Sequence, residues 1–267
     1  MGRGIAHAAL SAGFHTTLFD VSQDALDKAR AAIAKIGPDT LLARLTTVDN
    51  VPDAVRGAGF VIEAVPEQIA LKISTFAEVQ AHAPADAVLA TNTSALSITE
   101  MSAVLDSPGR LAGMHFFNPV HRMKLVEIVR AQQTSDATIA AVEDVARRMG
   151  KETVLVRESP GFITSRINAM IGNEAFYILQ DGVASARDID KALKLGLNHP
   201  MGPFELVDLV GLDTRLNILQ YLHRTLGDKF RPCPLLEEYV KAGRLGKKVG
   251  RGVYEYDGGS ERTRPTG

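Results

Sequence analysis

The 267-residue chain predicts a two-domain α/β protein, in which a mostly parallel sheet covered by helices precedes an all-α domain. Short apolar strands alternate with amphipathic helices through residues 1–157, and this alternation is typical of a parallel sheet with helices on both faces. After Pro160-Gly161 the strand patterns stop until the short segment 252–256. We therefore expect domains at residues 1–157 and 158–256, followed by a flexible tail at 257–267 that is rich in glycine and polar residues.

The first domain begins with a helical stripe that ends at Gly13, because glycine suits the left-handed conformation just past a helix end. Residues 16–20 form the next strand pattern, and Ser22 is a suitable N-cap for the helix that runs from there to Ile36. The further strands are expected at residues 60–65, 88–91, 111–115, 125–129 and 153–156. The further helices are expected at residues 68–83 and 136–149.

The second domain begins with a long helix at residues 162–180, and Gly182 lies just past its end. The next helix begins at Ser185, with Asp188 three residues on in an acidic variant of the capping box. Apolar residues, Ile167 and Ala169 among them, occupy more than one face of the long helix. Either a subunit interface or burial within its own domain would cover these faces, and we favour the interface.

The composition indicates which kind of ligand the chain binds. The 30 Lys and Arg residues balance 31 Asp and Glu and are scattered, so the chain lacks the broad positive field that binds nucleic acid or an acidic membrane surface. We therefore expect a small-molecule ligand, with no nucleic acid and no membrane. The single cysteine, Cys233, has no disulfide partner, and the histidines show no metal-ligand spacing. The absence of a signal-peptide pattern or a bilayer-spanning apolar run favours a cytoplasmic location.

A histidine and an acid are candidates for proton transfer. His115 closes a strand pattern and is followed by Phe116-Phe117-Asn118-Pro119, and Glu127 lies twelve residues after it inside the apolar run 124–129. A histidine with its ordinary pKa of about 6.5 exchanges protons at neutral pH, and an acid in an apolar strand needs a partner. The two residues predict a base with its orienting carboxylate, although a structural histidine and an acid on a solvated face would give the same pattern.

The start of the chain carries part of a dinucleotide-binding unit. Such a unit needs a strand, a G-x-G-x-x-G turn, a helix and an acid that ends the second strand. Gly2 and Gly4 open the first helix and Asp20 ends the next strand, but the first strand and the leading glycines have no counterpart. Asp20 would bind an adenosine ribose and repel a 2′-phosphate, which favours NAD over NADP; otherwise it is a strand-ending turn residue. We expect the natural start to lie upstream of Met1, and this chain to bind NAD poorly.

Several separate stretches give the chain a resemblance to a known family. They are residues 63–67 (EAVPE), 91–94 (TNTS), 115–119 (HFFNP), 159–162 (SPGF), 199–205 (HPMGPFE) and 246–254 (GKKVGRGVY). In their order and spacing the chain resembles the short-chain L-3-hydroxyacyl-CoA dehydrogenases, of the bacterial 3-hydroxybutyryl-CoA dehydrogenase type. The resemblance implies a Rossmann-like first domain whose first strand is truncated, and a helical domain that binds substrate and forms a homodimer. It also implies a cytoplasmic oxidoreductase of fatty acid metabolism.

The resemblance implies roles for individual residues as well. His115, oriented by Glu127, is expected to be the general base or acid in the oxidation of an L-3-hydroxyacyl-CoA to a 3-ketoacyl-CoA by NAD. Ser94 and Asn118 match catalytic positions near the substrate oxygen or the nicotinamide, and Ser94 and Ser165 match substrate positions. The positions that match NAD-binding residues are Gly2, Asp20, Ala64, Glu67, Lys72, Asn92 and Lys248. A solvated ion pair is the alternative for Glu67 and Lys72.

Two departures from the family pattern bear on the site. Many members carry an asparagine after the Pro-Gly-Phe turn where this chain has Ser165, and a serine is shorter with a single donor. We expect Ser165 to keep part of that role through water, or Asn168, one helical turn on, to reach the same space. The segment from Ile36 to Leu45 is short, whereas the animal enzymes have a longer helical pair there that contacts coenzyme A, so it supplies no predicted CoA-binding residue.

Two other functions stay open at this point. A related dehydrogenase of a free hydroxy acid or sugar acid would share both domains, and a non-catalytic relative would bind a nucleotide or a partner on the same fold. His115, Glu127, Ser94 and Asn118 together argue against a purely binding role, whereas the incomplete phosphate-binding loop argues mildly for it. The sequence leaves open the acyl chain length, the pathway and the exact oligomer.

Overall fold

The computed structural model describes residues 1–257 and 260–261, and it divides the chain into two compact units, Met1–Phe162 and Ile163–Gly267. The first unit is a Rossmann-like α/β sheet domain and the second is helical, which confirms the predicted fold class. The first unit ends at Phe162, whereas the sequence predicts a boundary after residue 157. Within the described residues, no helix combines the length and the apolar character needed to cross a membrane.

The first unit alternates strands and helices along the chain. Its strands are β1 (Thr16–Phe19), β2 (Leu45–Val48), β3 (Phe60–Glu63), β4 (Val88–Thr91), β5 (Leu111–Phe116), β6 (Leu125–Arg130) and β7 (Glu152–Arg157). Its helices are α1 (Gly2–Ser11), α2 (Gln23–Ile36), α3 (Val51–Val55), α4 (Ile69–His82), α5 (Ile98–Ser102) and α6 (Asp136–Arg148). The predicted cap of α2 is confirmed, since the Ser22 side chain accepts the Ala25 N–H.

The strands form two ladders. β3, β4, β5, β6 and β7 lie side by side in that order, and every neighbouring pair is parallel except β5 and β6. β1 and β2 pair with each other in parallel, and no described strand bonds either of them to β3. The start of α1 lies between the ladders, because a Cβ built at Gly2 would be 3.9 Å from side-chain atoms of both Leu18 in β1 and Ala64 after β3.

Helices cover both faces of β5, which is buried along its whole length. Side chains alternate between the faces of a strand, so Met114 packs on one face with Ile5 of α1 and Val142 of α6. On the other face Leu111 packs with residues of α3, α4 and α5, among them Phe76. The centre of the sheet is therefore a dry environment for any polar side chain that β5 carries.

Two strand segments differ from the sequence prediction. The sequence does not predict β2, because its Leu-Thr-Thr-Val run is only partly buried and carries little apolar signal. The strand predicted at residues 252–256 is wrong: this segment bends, and only β8 (Tyr256–Asp257) is extended, paired with β9 (Ser260–Glu261). Asp208 causes the bend, since its carboxylate accepts the Val253 and Tyr254 N–H groups at 2.8 and 2.9 Å. Most of the predicted tail lies outside the described residues.

The second unit is a cluster of helices around an aromatic core. Its helices are α7 (Thr164–Gln180), α8 (Ala186–Gly196), α9 (Pro203–Val210), α10 (Leu212–Leu226) and α11 (Pro234–Lys241). The Phe176 ring packs edge-on against both Phe204 and Tyr239, at centroid distances of 5.1 and 5.9 Å. The cap predicted for α8 is confirmed, because the Ser185 hydroxyl oxygen accepts the Asp188 N–H at 3.2 Å.

Candidate active site

His115 and Glu127 face each other across two neighbouring strands. β5 and β6 are antiparallel, and their register places His115 directly opposite Glu127. Nδ1 of His115 lies 2.7 Å from Oε2 of Glu127. A carboxylate only accepts hydrogen bonds, so Nδ1 carries the proton and donates it. This bond fixes the imidazole tautomer and leaves Nε2 as the nitrogen for proton exchange.

The surroundings of the pair are dry and partly aromatic. His115 is 5% exposed and Glu127 is completely buried. The rings of Phe117 and Phe162 lie 4.6 and 5.9 Å from the imidazole, measured between centroids. A buried carboxylate without a partner would be costly, and low polarity strengthens the hydrogen bond that satisfies it. The arrangement can therefore hold the imidazole in one orientation and stabilise a positive charge on it.

Three more of the predicted residues lie at the carboxyl ends of β4 and β5. Asn92 and Ser94 follow β4, and Asn118 follows β5. Oδ1 of Asn92 accepts the Phe116 N–H at 2.9 Å, so the loop after β4 is bound to the strand that carries His115. Ser94 is half-buried and Asn118 is exposed. Ligands of parallel α/β sheets bind at this edge, so these side chains belong to the part of the unit where a ligand is expected.

Glu67 holds the turn that carries Ser94. Its Oε1 accepts the Thr93 hydroxyl at 2.6 Å and the Ser94 N–H at 2.8 Å. Lys72 is 1% exposed, and its ammonium lies 2.7 Å from Glu63 and 3.3 Å from Glu67. The Lys72 side of this pair is therefore not solvated, whereas the Glu67 side chain is 40% exposed. The predicted role of Lys72 in NAD binding stays a prediction.

Glu63 is a site residue that the sequence analysis missed. It ends β3, is 4% exposed, and its Oε1 accepts the Val65 N–H at 2.6 Å. The signal for it was present, because Glu63 is an acid at the end of an apolar strand, as Glu127 is an acid inside one. Its partner Lys72 is nine residues away on α4, so the local sequence pattern does not show the pairing.

The residues around the start of α1 fit a dinucleotide. The first N–H groups of a helix have no intrahelical partner and attract phosphate, and Gly2 places them beside the carboxyl ends of β1 and β3. Asp20 follows β1 with an exposed carboxylate, and its Oδ1 accepts the Ser22 N–H at 3.0 Å. Ala64 follows β3, within reach of the same helix start. An acid at the end of this strand suits the ribose hydroxyls of NAD.

The other predicted residues lie in the second unit. Ser165 and Asn168 are half-buried and three residues apart near the start of α7. Nζ of Lys248 lies 2.6 Å from both carboxylate oxygens of Asp213. The charge of Lys248 is thus partnered within the helical unit, and its contact with a cofactor stays a prediction.

A Rossmann-like sheet domain, an acid after β1 and a helical second unit define a two-domain NAD-binding dehydrogenase. Comparison with protein families gives the same class. The model of the 3-hydroxyacyl-CoA dehydrogenase NAD binding domain matches residues 1–159, and that of the 3-hydroxyacyl-CoA dehydrogenase C-terminal domain matches residues 161–256. The chain belongs to the 3-hydroxyacyl-CoA dehydrogenase family, so its cofactor is NAD.

Individual relatives are similar over nearly the whole chain. The Probable 3-hydroxybutyryl-CoA dehydrogenase of Bacillus subtilis is 45% identical, with 96% of this chain and 94% of the relative covered. The 3-hydroxybutyryl-CoA dehydrogenase of Bradyrhizobium diazoefficiens is 42% identical, with 97% and 92% covered. The crystal structure of (S)-3-hydroxybutyryl-CoA dehydrogenase from Ralstonia eutropha has a TM-score of 0.91 at 40% identity, with 96% and 95% covered. The predicted family and enzyme class are thus confirmed.

The position of Asp20 predicts the choice between the two nicotinamide cofactors. Asp20→Ala should reduce the ratio of NADH to NADPH affinity by roughly tenfold, the effect of ~1.4 kcal/mol, because it removes the charge that repels a 2′-phosphate. Calorimetric titration with each cofactor measures the ratio. Asp24→Ala, which removes an exposed acid four residues away on α2, is the matched control and should leave the ratio unchanged. An unchanged ratio in Asp20→Ala would contradict the assignment.

Proposed function

We propose that this enzyme oxidises a short-chain L-3-hydroxyacyl-CoA, such as 3-hydroxybutyryl-CoA, with His115 as the general base and Glu127 as its orienting carboxylate. The buried 2.7 Å contact between Nδ1 of His115 and Oε2 of Glu127 carries the proposal. The names of the relatives, which are 3-hydroxybutyryl-CoA dehydrogenases, support the short acyl chain. A series of kcat/KM values over acyl-CoA lengths tests it, and we expect the maximum at the four-carbon acyl group.

The chemistry requires a proton and a hydride to leave the same alcohol. Nε2 of His115 takes the hydroxyl proton, the oxygen keeps the electron pair of that bond, and the C3=O double bond forms as C3 loses its hydride. Bound NAD supplies the hydride acceptor. His115 becomes an imidazolium, and Glu127 stabilises that charge through the Nδ1–H bond. In the reverse direction His115 returns the proton to the ketone oxygen.

Further polar side chains have roles in the proposed reaction. Ser94 and Asn118 are the donors we assign to the substrate oxygen, where negative charge develops when the proton leaves. Ser165 is the residue that we assign to substrate binding from the second unit, and Asn168 lies one helical turn further on. The kcat values of Ser165→Ala and Asn168→Ala separate these two residues, since only the one that acts on the substrate should lower the rate.

Loss of the base predicts a large kinetic effect. His115→Ala should lower kcat for acetoacetyl-CoA reduction by about 10²- to 10⁴-fold, the usual contribution of general acid–base catalysis. Glu127→Gln should also lower kcat, because a neutral amide does not stabilise the imidazolium. The spectrophotometric rate of NADH oxidation measures both effects. His82→Ala, at the exposed end of α4, is the control and should keep the full rate. A full rate in His115→Ala would refute the proposed base.

We also propose that the enzyme is a homodimer formed through the second unit. Ile163, Ile167 and Met170 lie at the spacing of one helical face, and their side chains are 45%, 55% and 43% exposed. Met170 also lines a groove of about 530 Å³ between α7, α8 and residues 228–231. Exposed apolar surface of this kind is typical of a subunit interface.

A charge on this face should separate the subunits. Ile167→Glu should convert a dimer to a monomer at micromolar concentration, because the new carboxylate would be buried without a partner. Sedimentation velocity gives the mass. Val183→Glu is the control, since Val183 is 72% exposed in the turn after α7 and outside the face defined above. A monomeric parent chain, or a dimer that survives Ile167→Glu, would show that this face is not the interface.

A further inference from the structure

Glu63 and Lys72 form an ion pair that lies almost completely out of solvent. Both side chains are 1% exposed, and Nζ of Lys72 lies 2.7 Å from Oε1 of Glu63. Two charges are costly to bury, and a sheet of this kind is stable with apolar residues at such positions. A buried ion pair beside the proposed reaction site is therefore better explained by a function than by stability. The other contacts of Glu63 and Lys72 indicate that function.

The Glu63 carboxylate joins the carboxyl ends of two strands. Its Oε1 accepts the Val65 N–H at 2.6 Å, which turns the chain after β3. Its Oε2 accepts the Thr91 hydroxyl at 2.6 Å, at the end of β4. Oγ1 of Thr91 in turn accepts the Thr93 N–H at 3.2 Å. Glu63 thus fixes the start of the loop that follows β4.

Lys72 connects this carboxylate to a second one. An ammonium has three N–H donors, and three oxygens surround this one: Glu63 Oε1 at 2.7 Å, the Val65 carbonyl at 3.3 Å and Glu67 Oε2 at 3.3 Å. Two of these contacts are hydrogen bonds, and the third, with Glu67, is an ion pair. Lys72 thus links the buried Glu63 to Glu67, whose side chain is 40% exposed.

Glu67 connects Lys72 to the turn that carries Ser94. Its other oxygen, Oε1, accepts the Thr93 hydroxyl and the Ser94 N–H. Oγ1 of Thr93 also accepts the Leu96 N–H at 3.0 Å, which closes the turn. Glu63 is thus connected to the backbone of Ser94 by a hydrogen bond to Lys72, the ion pair of Lys72 with Glu67, and the hydrogen bond that Glu67 accepts from the Ser94 N–H.

We propose that Glu63 and Lys72 are positioning residues, which hold Glu67 and thereby set the place of the Ser94 hydroxyl relative to the substrate oxygen. The inference rests on the proposed function, in which Ser94 acts on the substrate. It gives Lys72 a role in addition to its predicted contact with the cofactor. Small displacements of a reacting group are costly, so the effect falls on turnover.

Two variants and one control test the proposal. Lys72→Met removes the ammonium at similar length, and Glu63→Gln/Lys72→Met removes both buried charges, which keeps a folded protein available if the single variant fails to fold. Lys28→Met removes an exposed lysine that pairs with Asp24 at 2.6 Å, so it controls for the loss of an ion pair as such. Each is compared with the parent chain by amide hydrogen exchange without NAD and by steady-state kinetics.

We expect the change in hydrogen exchange to be confined to the loop after β4. In Lys72→Met and in the double variant the amides of residues 93–96 should exchange about tenfold faster or more, while the other strands keep their protection. The kcat for acetoacetyl-CoA at saturating NADH should fall on the order of ten- to a hundredfold. Ser94→Ala should then lower kcat less in the double-variant background than in the parent, because the hydroxyl is already misplaced.

Other outcomes overturn the proposal. Weaker NADH binding with unchanged exchange at residues 93–96 would make Lys72 a cofactor contact. Faster exchange throughout the first unit would make the pair merely structural, and unchanged exchange and kcat would leave it without a positioning role. The hydrogen exchange arm needs no activity, so it decides the role of Glu63 and Lys72 even if the parent chain fails to reduce acetoacetyl-CoA, which would refute the proposed function instead.

Discussion

The hydrogen bond between His115 and Glu127 is the constraint on which the site depends, and the sheet itself supplies it. β5 and β6 form the antiparallel pair in an otherwise parallel ladder, and their register sets the two side chains opposite each other. A slip of one residue would send either side chain to the other face. The pair therefore needs no mobile loop to assemble it, and its 2.7 Å geometry is as rigid as the strands that carry it.

Acids also organise the loops around this pair. Glu63 and Glu67 bind the turn after β4, and Asn92 binds the same loop to β5. In each of these contacts a backbone N–H or a hydroxyl donates to a side-chain oxygen, and the bonds to the buried Glu63 and Asn92 are stronger than they would be in water. The consequence is a rigid edge of the sheet, which suits a reaction that requires a proton acceptor and a hydride acceptor in fixed positions.

Much of this arrangement could be predicted from the sequence, and the limits have physical causes. Strand periodicity located β4 and β5, and the acid inside an apolar run identified Glu127 because burial demands a partner. Glu63 gave the same signal, but its partner comes from α4, and local patterns do not reveal tertiary pairing. The prediction of a strand at residues 252–256 was wrong for the same reason. The segment bends where it binds Asp208, which is distant in sequence. Register, and with it the distance from His115 to Glu127, is likewise a property of the folded sheet.

Chemical rescue tests the central claim, that the imidazole of His115 moves the proton, more directly than loss of activity does. The measurement is the rate of acetoacetyl-CoA reduction by His115→Ala as free imidazole is added. We expect a saturable increase in rate, because a small base can enter the space that the side chain leaves and supply the same proton transfer. A rate that is independent of imidazole, with NADH still bound, would contradict the account.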